Sequence, residues 1–103
     1  MWNKIKNQAL KRGLVFNVSI EYCWDLFIKQ NKQCALSGQE IEINYKSRHI
    51  TASLDRIDND KGYVTDNVQW VHRKVNFMKQ NMKEEEFFHF CKLIVKYNKL
   101  GEL

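Results

Sequence analysis

An α+β fold, with helices bracing a β-hairpin, is what the chain predicts, and three observations carry the prediction. Apolar residues recur at helical spacing near both ends: Ile20, Cys23, Trp24, Phe27 and Ile28, then Phe87, Phe90, Cys91 and Ile94. Between them, residues 40–43 and 49–54 alternate with period two. Residues 52–79 then run from the second of these strands through an Asp-, Asn- and Gly-rich turn into an apolar-striped helix. The chain has 103 residues, which predicts a single domain over 1–103 with a modest core.

In order, Trp2, Ile5 and Ala9 mark a short basic helix that Gly13 ends. Residues 14–18 alternate weakly and read as extended. Ser19 is a good N-cap, with Glu21 in the first turn, for a helix that fades over residues 30–33. The Ser37-Gly38 turn separates Cys34-Ala35-Leu36 from the strand at 40–43. A polar, basic connection at 44–48 leads to the strand at 49–54, with Ile50, Ala52 and Leu54 on one face. This hairpin needs a helix across it. Asn67 is the expected N-cap of that helix, whose stripe is Val68, Val71, Val75 and Met78, with Trp70 and Phe77 on the opposite side. Glu84, Glu85 and Glu86 open the last helix, a brace whose later turns carry Lys92, Lys96 and Lys99 and whose end lies near Gly101.

There are 17 basic and 12 acidic residues, a net +5, with a pI near 9.2. That balance favours polyanionic partners, nucleic acid first among them. No apolar run approaches the roughly 20 residues of a membrane span, and the start does not read as a signal peptide. A cytoplasmic protein without a membrane partner is the expectation. Cys23, Cys34 and Cys91 are an odd set without metal-ligand spacing and read as reduced and mostly buried.

The chemistry-bearing residues cluster in 52–79. On the expected helix, His72, Asn76 and Lys79 lie three or four residues apart and share a shoulder. Packed across the hairpin, that shoulder faces the strand end where Asp55 emerges. Asp55 and Asn76 are oxygen donors suited to Mg²⁺, which takes few protein ligands and keeps several waters. Such a cation binds a phosphate oxygen and stabilises a leaving alkoxide.

The elements Cys34-Ala35-Leu36-Ser37-Gly38, Ser53-Leu54-Asp55-Arg56-Ile57-Asp58, Gly62-Tyr63, Asn67-Val68-Gln69-Trp70 and Asn76 resemble, in order, the HNH endonucleases of the ββα-metal (His-Me finger) type. The flanks Arg12-Gly13-Leu14-Val15-Phe16-Asn17-Val18-Ser19 and Glu84-Glu85-Glu86-Phe87 resemble those of small phage-type members, so the likeness spans nearly the whole chain. It implies a ββα-metal finger over about 34–79. Asp55 and Asn76 would be the ligands of Mg²⁺ or Mn²⁺, Asn67 the residue that holds the loop, and Lys79 the basic residue that closes the motif.

Two departures stand out. Arg56 occupies the place of the family's catalytic His. A guanidinium stays protonated at neutral pH, so Arg56 cannot be a general base, but it can clamp a phosphate or stabilise developing charge. His72, His49 and Tyr63 are the alternatives for the base. His72 ranks first because it shares a helix shoulder with Asn76, against a packed or capping role. Ser37, His72 and Val75 stand where zinc-stapled members carry thiols, so no structural zinc is expected.

Lys46, Arg48, Arg73, Lys74 and Lys79 are the basic residues expected to contact DNA. The function expected is metal-dependent DNA cleavage, one strand at a time. A double-strand break would call for a homodimer or a larger nuclease complex. The alternatives are a catalytically impaired HNH-like module that binds DNA or a partner, and a structural or regulatory protein.

Overall fold

Among the described residues, four helices and three small two-stranded sheets make up the fold. The computed structural model describes residues 1–44 and 46–100. The chain runs α1 (Trp2–Lys11), β1 (Phe16–Asn17), α2 (Ile20–Lys29), β2 (Ile43–Asn44), β3 (His49–Ile50), β4 (Ala52–Arg56), β5 (Tyr63–Val64), β6 (Val68–His72), α3 (Arg73–Lys79) and α4 (Glu84–Tyr97). This is an α+β fold. Tyr45, in the polar connection, and Gly101, expected near the end of the last helix, lie outside the described residues.

Ser19 caps α2 as expected: its Oγ accepts from the backbone N–H of Tyr22 at 3.0 Å. Of the α2 stripe, only Cys23 and Phe27 are buried, while Ile20, Trp24 and Ile28 are each 45% exposed. The core is a narrower set than the pattern suggests. Cys23 and Phe27 pack there with Cys34, Ile41, Ala52, Leu54, Val68, Trp70 and Val71. Trp70 is its largest member. Its indole N–H donates to the Cys23 carbonyl at 2.7 Å, which meets the polar demand of a buried tryptophan.

The hairpin differs from the expected one. The ladder between residues 40–44 and 49–54 is short, Ile43↔Ile50 and Asn44↔His49, with the Glu42 carbonyl accepting from the Thr51 and Ala52 N–H groups beside it, and Cys34 to Gly38 forms a turn in which the Gly38 N–H donates to the Cys34 carbonyl. The principal hairpin is β4 with β6, antiparallel from Ala52↔His72 to Arg56↔Val68. The helix expected from Asn67 onward is therefore a strand over its first turn and a half, and α3 begins only at Arg73. Val68, Trp70 and Val71 are β-branched or aromatic, which a pleated, doubly covered strand accommodates better than a helix does. The Gln30 side chain fixes the outer edge of β6. It accepts from the Trp70 N–H at 3.0 Å and donates to the Trp70 carbonyl at 2.9 Å.

Two remaining features position the site. β1 pairs parallel with β5, Phe16 opposite Tyr63, and thereby ties the N-terminal segment to the loop after β4. Gly62 lies against this pairing so closely that a Cβ there would stand 2.5 Å from the Val15 carbonyl oxygen. α4 is not the expected brace. Phe87 is its one buried residue, and Phe90 and Ile94 are 50% and 60% exposed. On α3, Phe77 and Met78 are also exposed, not covered by flanking helices. Among the described residues, no helix is long and apolar enough to cross a membrane.

Candidate active site

Strand β4 ends in two charged residues that the fold buries: Asp55 is 4% exposed and Arg56 is 6% exposed. Burial of charge is costly unless each group is paired and hydrogen-bonded. Asp55 meets that demand from α3 and β6. The Lys79 ammonium, itself fully buried, donates to Oδ2 at 2.7 Å and to the Arg56 carbonyl at 3.1 Å. Gln69 Nε2 donates to the same Oδ2 at 3.0 Å and to Glu84 Oε1 at 2.7 Å, linking the carboxylate to the first turn of α4.

Arg56 is satisfied differently. Its Nη1 donates to the carbonyls of Asn59 at 2.8 Å and Lys61 at 3.1 Å, and its guanidinium lies 5.8 Å from the centre of the Tyr63 ring. Arg56 makes no ion pair with Asp58 among the described residues. Asp58 instead accepts from the Asp60 N–H, closing a turn. Asn67 pins the loop from its far end. Its amide oxygen accepts from the Asp58 N–H at 2.9 Å, and its nitrogen donates to the carbonyls of Asp58 and Gly62. One carboxamide thus holds both ends of the turn. Asn67 lies just before β6 and is not a helix cap, since the following residues are strand.

Asp55, Arg56 and Asn76 line one polar cleft of about 160 Å³, together with Arg12, Tyr63 and Gln80. Asn76 is aimed by a bond from its Nδ2 to Ser53 Oγ at 2.7 Å, leaving Oδ1 as its remaining acceptor. Asp55 Oδ1, Asn76 Oδ1 and the Nη2 and Nε of Arg56 have no protein partner among the described residues. No fully buried polar side-chain atom there lacks a partner, so each of these four atoms keeps some contact with solvent.

Two oxygens from separate elements suit a hard cation that keeps most of its water, so Asp55 and Asn76 are the residues of the cleft that could hold one. The Lys79 ammonium on the same carboxylate offsets part of its charge and weakens that hold. No group of three or more His, Cys, Asp or Glu residues that could hold a metal ion occurs among the described residues. Cys34 Sγ accepts from the Ser37 N–H at 3.3 Å. Burial pushes the Cys34 thiol up, but hydrogen bonds from Ser37 and from the backbone of His72 and Leu36 outweigh it and leave the thiol below its ordinary value.

Other expected residues lie elsewhere. His72 does not share a shoulder with Asn76. It is the N-cap of α3, its Nδ1 accepting from the Lys74 N–H at 3.1 Å, and it does not line the cleft. A base at Asp55 would have to be another group. His49 pairs with Glu42 at 3.0 Å on the exposed β2–β3 hairpin. Tyr63 is the member of that trio at the cleft. Lys79 cannot contact nucleic acid as expected, because its ammonium is sealed beneath Asp55. Lys46, Arg48, Arg73 and Lys74 are exposed, and Arg73 Nη1 reaches the Ile50 carbonyl beside the hairpin that carries Lys46 and Arg48. Arg12 and Gln69 escaped sequence reasoning. Arg12 closes α1 and reaches the cleft only through the β1–β5 pairing. Gln69 carried one signal, an isolated polar residue between buried strand neighbours.

No family model and no solved structure matches this chain. It is similar to an uncharacterized protein of Acanthamoeba polyphaga mimivirus, 30% identical over 98 residues. The similarity covers 95% of this chain and 17% of the viral protein, so the chain spans about a sixth of that relative's length.

Proposed function

We propose that this protein is a divalent-metal-dependent DNA endonuclease of the HNH, ββα-metal type that nicks one strand. The observation that carries the reading is the convergence of Asp55 and Arg56, from β4, and Asn76, from α3, on one polar cleft. Asp55 and Asn76 would hold Mg²⁺ or Mn²⁺, which supplies charge neutralisation at the phosphate and a more acidic bound water. Lys79 and Gln69 fix the Asp55 carboxylate so that its second oxygen faces the cleft. Arg56 presents Nη2 and Nε to a phosphate while its Nη1 stays on the loop carbonyls. Tyr63 is the side chain at the cleft that can pass on a proton.

Charge sets the approach. The neighbouring groove of about 430 Å³ is lined by Asp58, Asp60, Glu84 and Glu85 against Lys83 alone, and it repels a phosphodiester backbone. Arg12 makes its own side of the cleft the favourable one.

The experiment is conversion of supercoiled plasmid to open circle with Mg²⁺ or Mn²⁺, comparing the wild type with Asp55→Ala, Asn76→Ala and Tyr63→Phe. Metal-dependent nicking that each Ala variant loses supports the reading. Equal nicking by Asp55→Ala would sink it. The second reading, a catalytically impaired HNH-like module that binds DNA or a partner, is favoured by Arg56 standing where an imidazole would be needed. Salt-sensitive DNA retention by wild type without nicking under any divalent metal would establish it.

A further inference from the structure

Helix α3 divides into two sides. At roughly 100° per residue, Val75, Lys79 and Asn76 fall together on the side that packs inward. Arg73, Phe77, Lys74 and Met78 fall together on the other, all exposed, with Phe77 and Met78 at 77% and 58%. On that outer side Phe77 lies between the two cations, and α3 carries no acidic residue. The outer side also borders the cleft. Asn76, which lines it, immediately precedes Phe77, and Arg73 lies between them around the helix. The start of α3 is tied to the β2–β3 hairpin: the Arg73 N–H donates to the Thr51 carbonyl at 2.7 Å and Nη1 reaches the Ile50 carbonyl at 3.5 Å. That hairpin adds the exposed Lys46 and Arg48, while Glu42 beside it pairs with His49 at 3.0 Å.

We propose that the outer side of α3 is a DNA-distorting wedge. Phe77, backed by Met78, presses into a base step beside the cleft, while Arg73 and Lys74 hold the flanking phosphates. Charge complementarity selects the occupant: four exposed cations on one helix and the hairpin tied to it match a phosphate backbone. Those cations give hold without selectivity. The apolar pair supplies the selectivity, because a Phe or Met driven between bases must unstack them. That cost is least where the step is mismatched or flexible. Given the DNA-binding cleft of the reading above, the substrate class is duplex DNA with a step that unstacks easily.

Fluorescence anisotropy on the full chain, with EDTA present to prevent cleavage, tests the wedge. The probes are a short matched duplex and the same duplex with one central thymine–thymine mismatch. Wild type should bind the mismatched duplex about tenfold more tightly, the scale of one base–aromatic stacking contact. Phe77→Ala should abolish the difference and Phe77→Leu should keep most of it, since apolar bulk makes the wedge. Phe77 is 77% exposed, so both variants keep the fold, which circular dichroism would verify. Arg73→Ala/Lys74→Ala should weaken both duplexes alike and reduce the salt slope by about 2, one for each lost phosphate contact. Equal binding of the two duplexes by wild type, as a basic face built for a protein partner would give, overturns the wedge. So does a preference that survives Phe77→Ala. Metal-dependent plasmid nicking alongside equal binding would remove the wedge and leave the nuclease reading standing. A Phe77-dependent preference without nicking would keep the wedge and remove the nuclease.

Discussion

The ammonium of Lys79 lies 2.7 Å from Oδ2 of Asp55, with both side chains shut away from solvent, so the carboxylate that lines the cleft is also half of a buried ion pair. Removing one member strands the other. We expect Lys79→Met to cost about 3–5 kcal/mol in urea unfolding, the usual penalty for an uncompensated buried charge. Adding Asp55→Leu should recover much of that loss. Additive single and double effects would show that the pair is not coupled.

Asn67 should matter beyond its size. Asn67→Ala deletes three hydrogen bonds that satisfy Asp58 and Gly62. A cost of about 1–3 kcal/mol is expected, since partly buried backbone groups are left unpaired. Limited proteolysis should show new cleavage within residues 57–66. An unchanged digestion pattern would mean that the loop is held by other means.

At Gly62 the obstacle is backbone. Gly62→Ala would push a methyl group against the Val15 carbonyl, and neither strand can yield without parting β1 from β5. Overpacking of this kind costs about 1–3 kcal/mol. Calorimetry should record a lower Tm. Gly38→Ala, with nothing within 4 Å of its Cβ, is strained only by its φ of +73° and is the natural control.

Arg12 separates binding from folding. It is exposed, so Arg12→Ala should change stability by no more than about 0.5 kcal/mol. If the cleft receives a DNA phosphate, the variant should bind DNA more weakly, with the slope of log affinity against log salt reduced by about 1. Fluorescence anisotropy across a salt series reads both quantities.

Burial pushes the Cys23 thiol from 9.0 up to about 11. The unfolded chain then gives up this proton at lower pH than the folded one. Stability from this group is intact below pH 9 and falls as pH rises towards 11, by up to about 3 kcal/mol at 1.36 kcal/mol per unit. Cys23→Ala should flatten that alkaline limb, at the cost of a small cavity at every pH. Unfolding curves at pH 8, 9.5 and 11 compare the two.

How far the sequence could be read depended on how local each determinant was. The α+β class, the Ser19 cap and the acidic start of α4 rest on neighbours a few residues apart. The strand β6 was misread because Val68, Val71 and Val75 satisfy a helical period while Val68, Trp70 and His72 satisfy a strand period. Gln30 and β4, distant in sequence, settle the matter. Asp55 and Asn76 could be paired in advance because strand and helix adjoin, whereas the displacement of His72 follows from the same misread strand. Arg12 at the cleft was illegible, since it arrives through contacts some fifty residues apart. For α4, periodicity marked the apolar residues but could not say that the rest of the chain leaves them uncovered.

The two-residue parallel pairing of Phe16–Asn17 with Tyr63–Val64 has a consequence for the order of assembly. Its closure spans 46 residues and contributes few bonds, so its entropy is recovered only after the hairpin and α2 have formed. The turn that carries Arg56 and Tyr63 should therefore organise last and open first. In hydrogen exchange, the Tyr63 amide, which donates to the Val15 carbonyl at 2.8 Å, should exchange through a smaller opening than the β4–β6 ladder. The cleft would then be complete only while the N-terminal segment is docked.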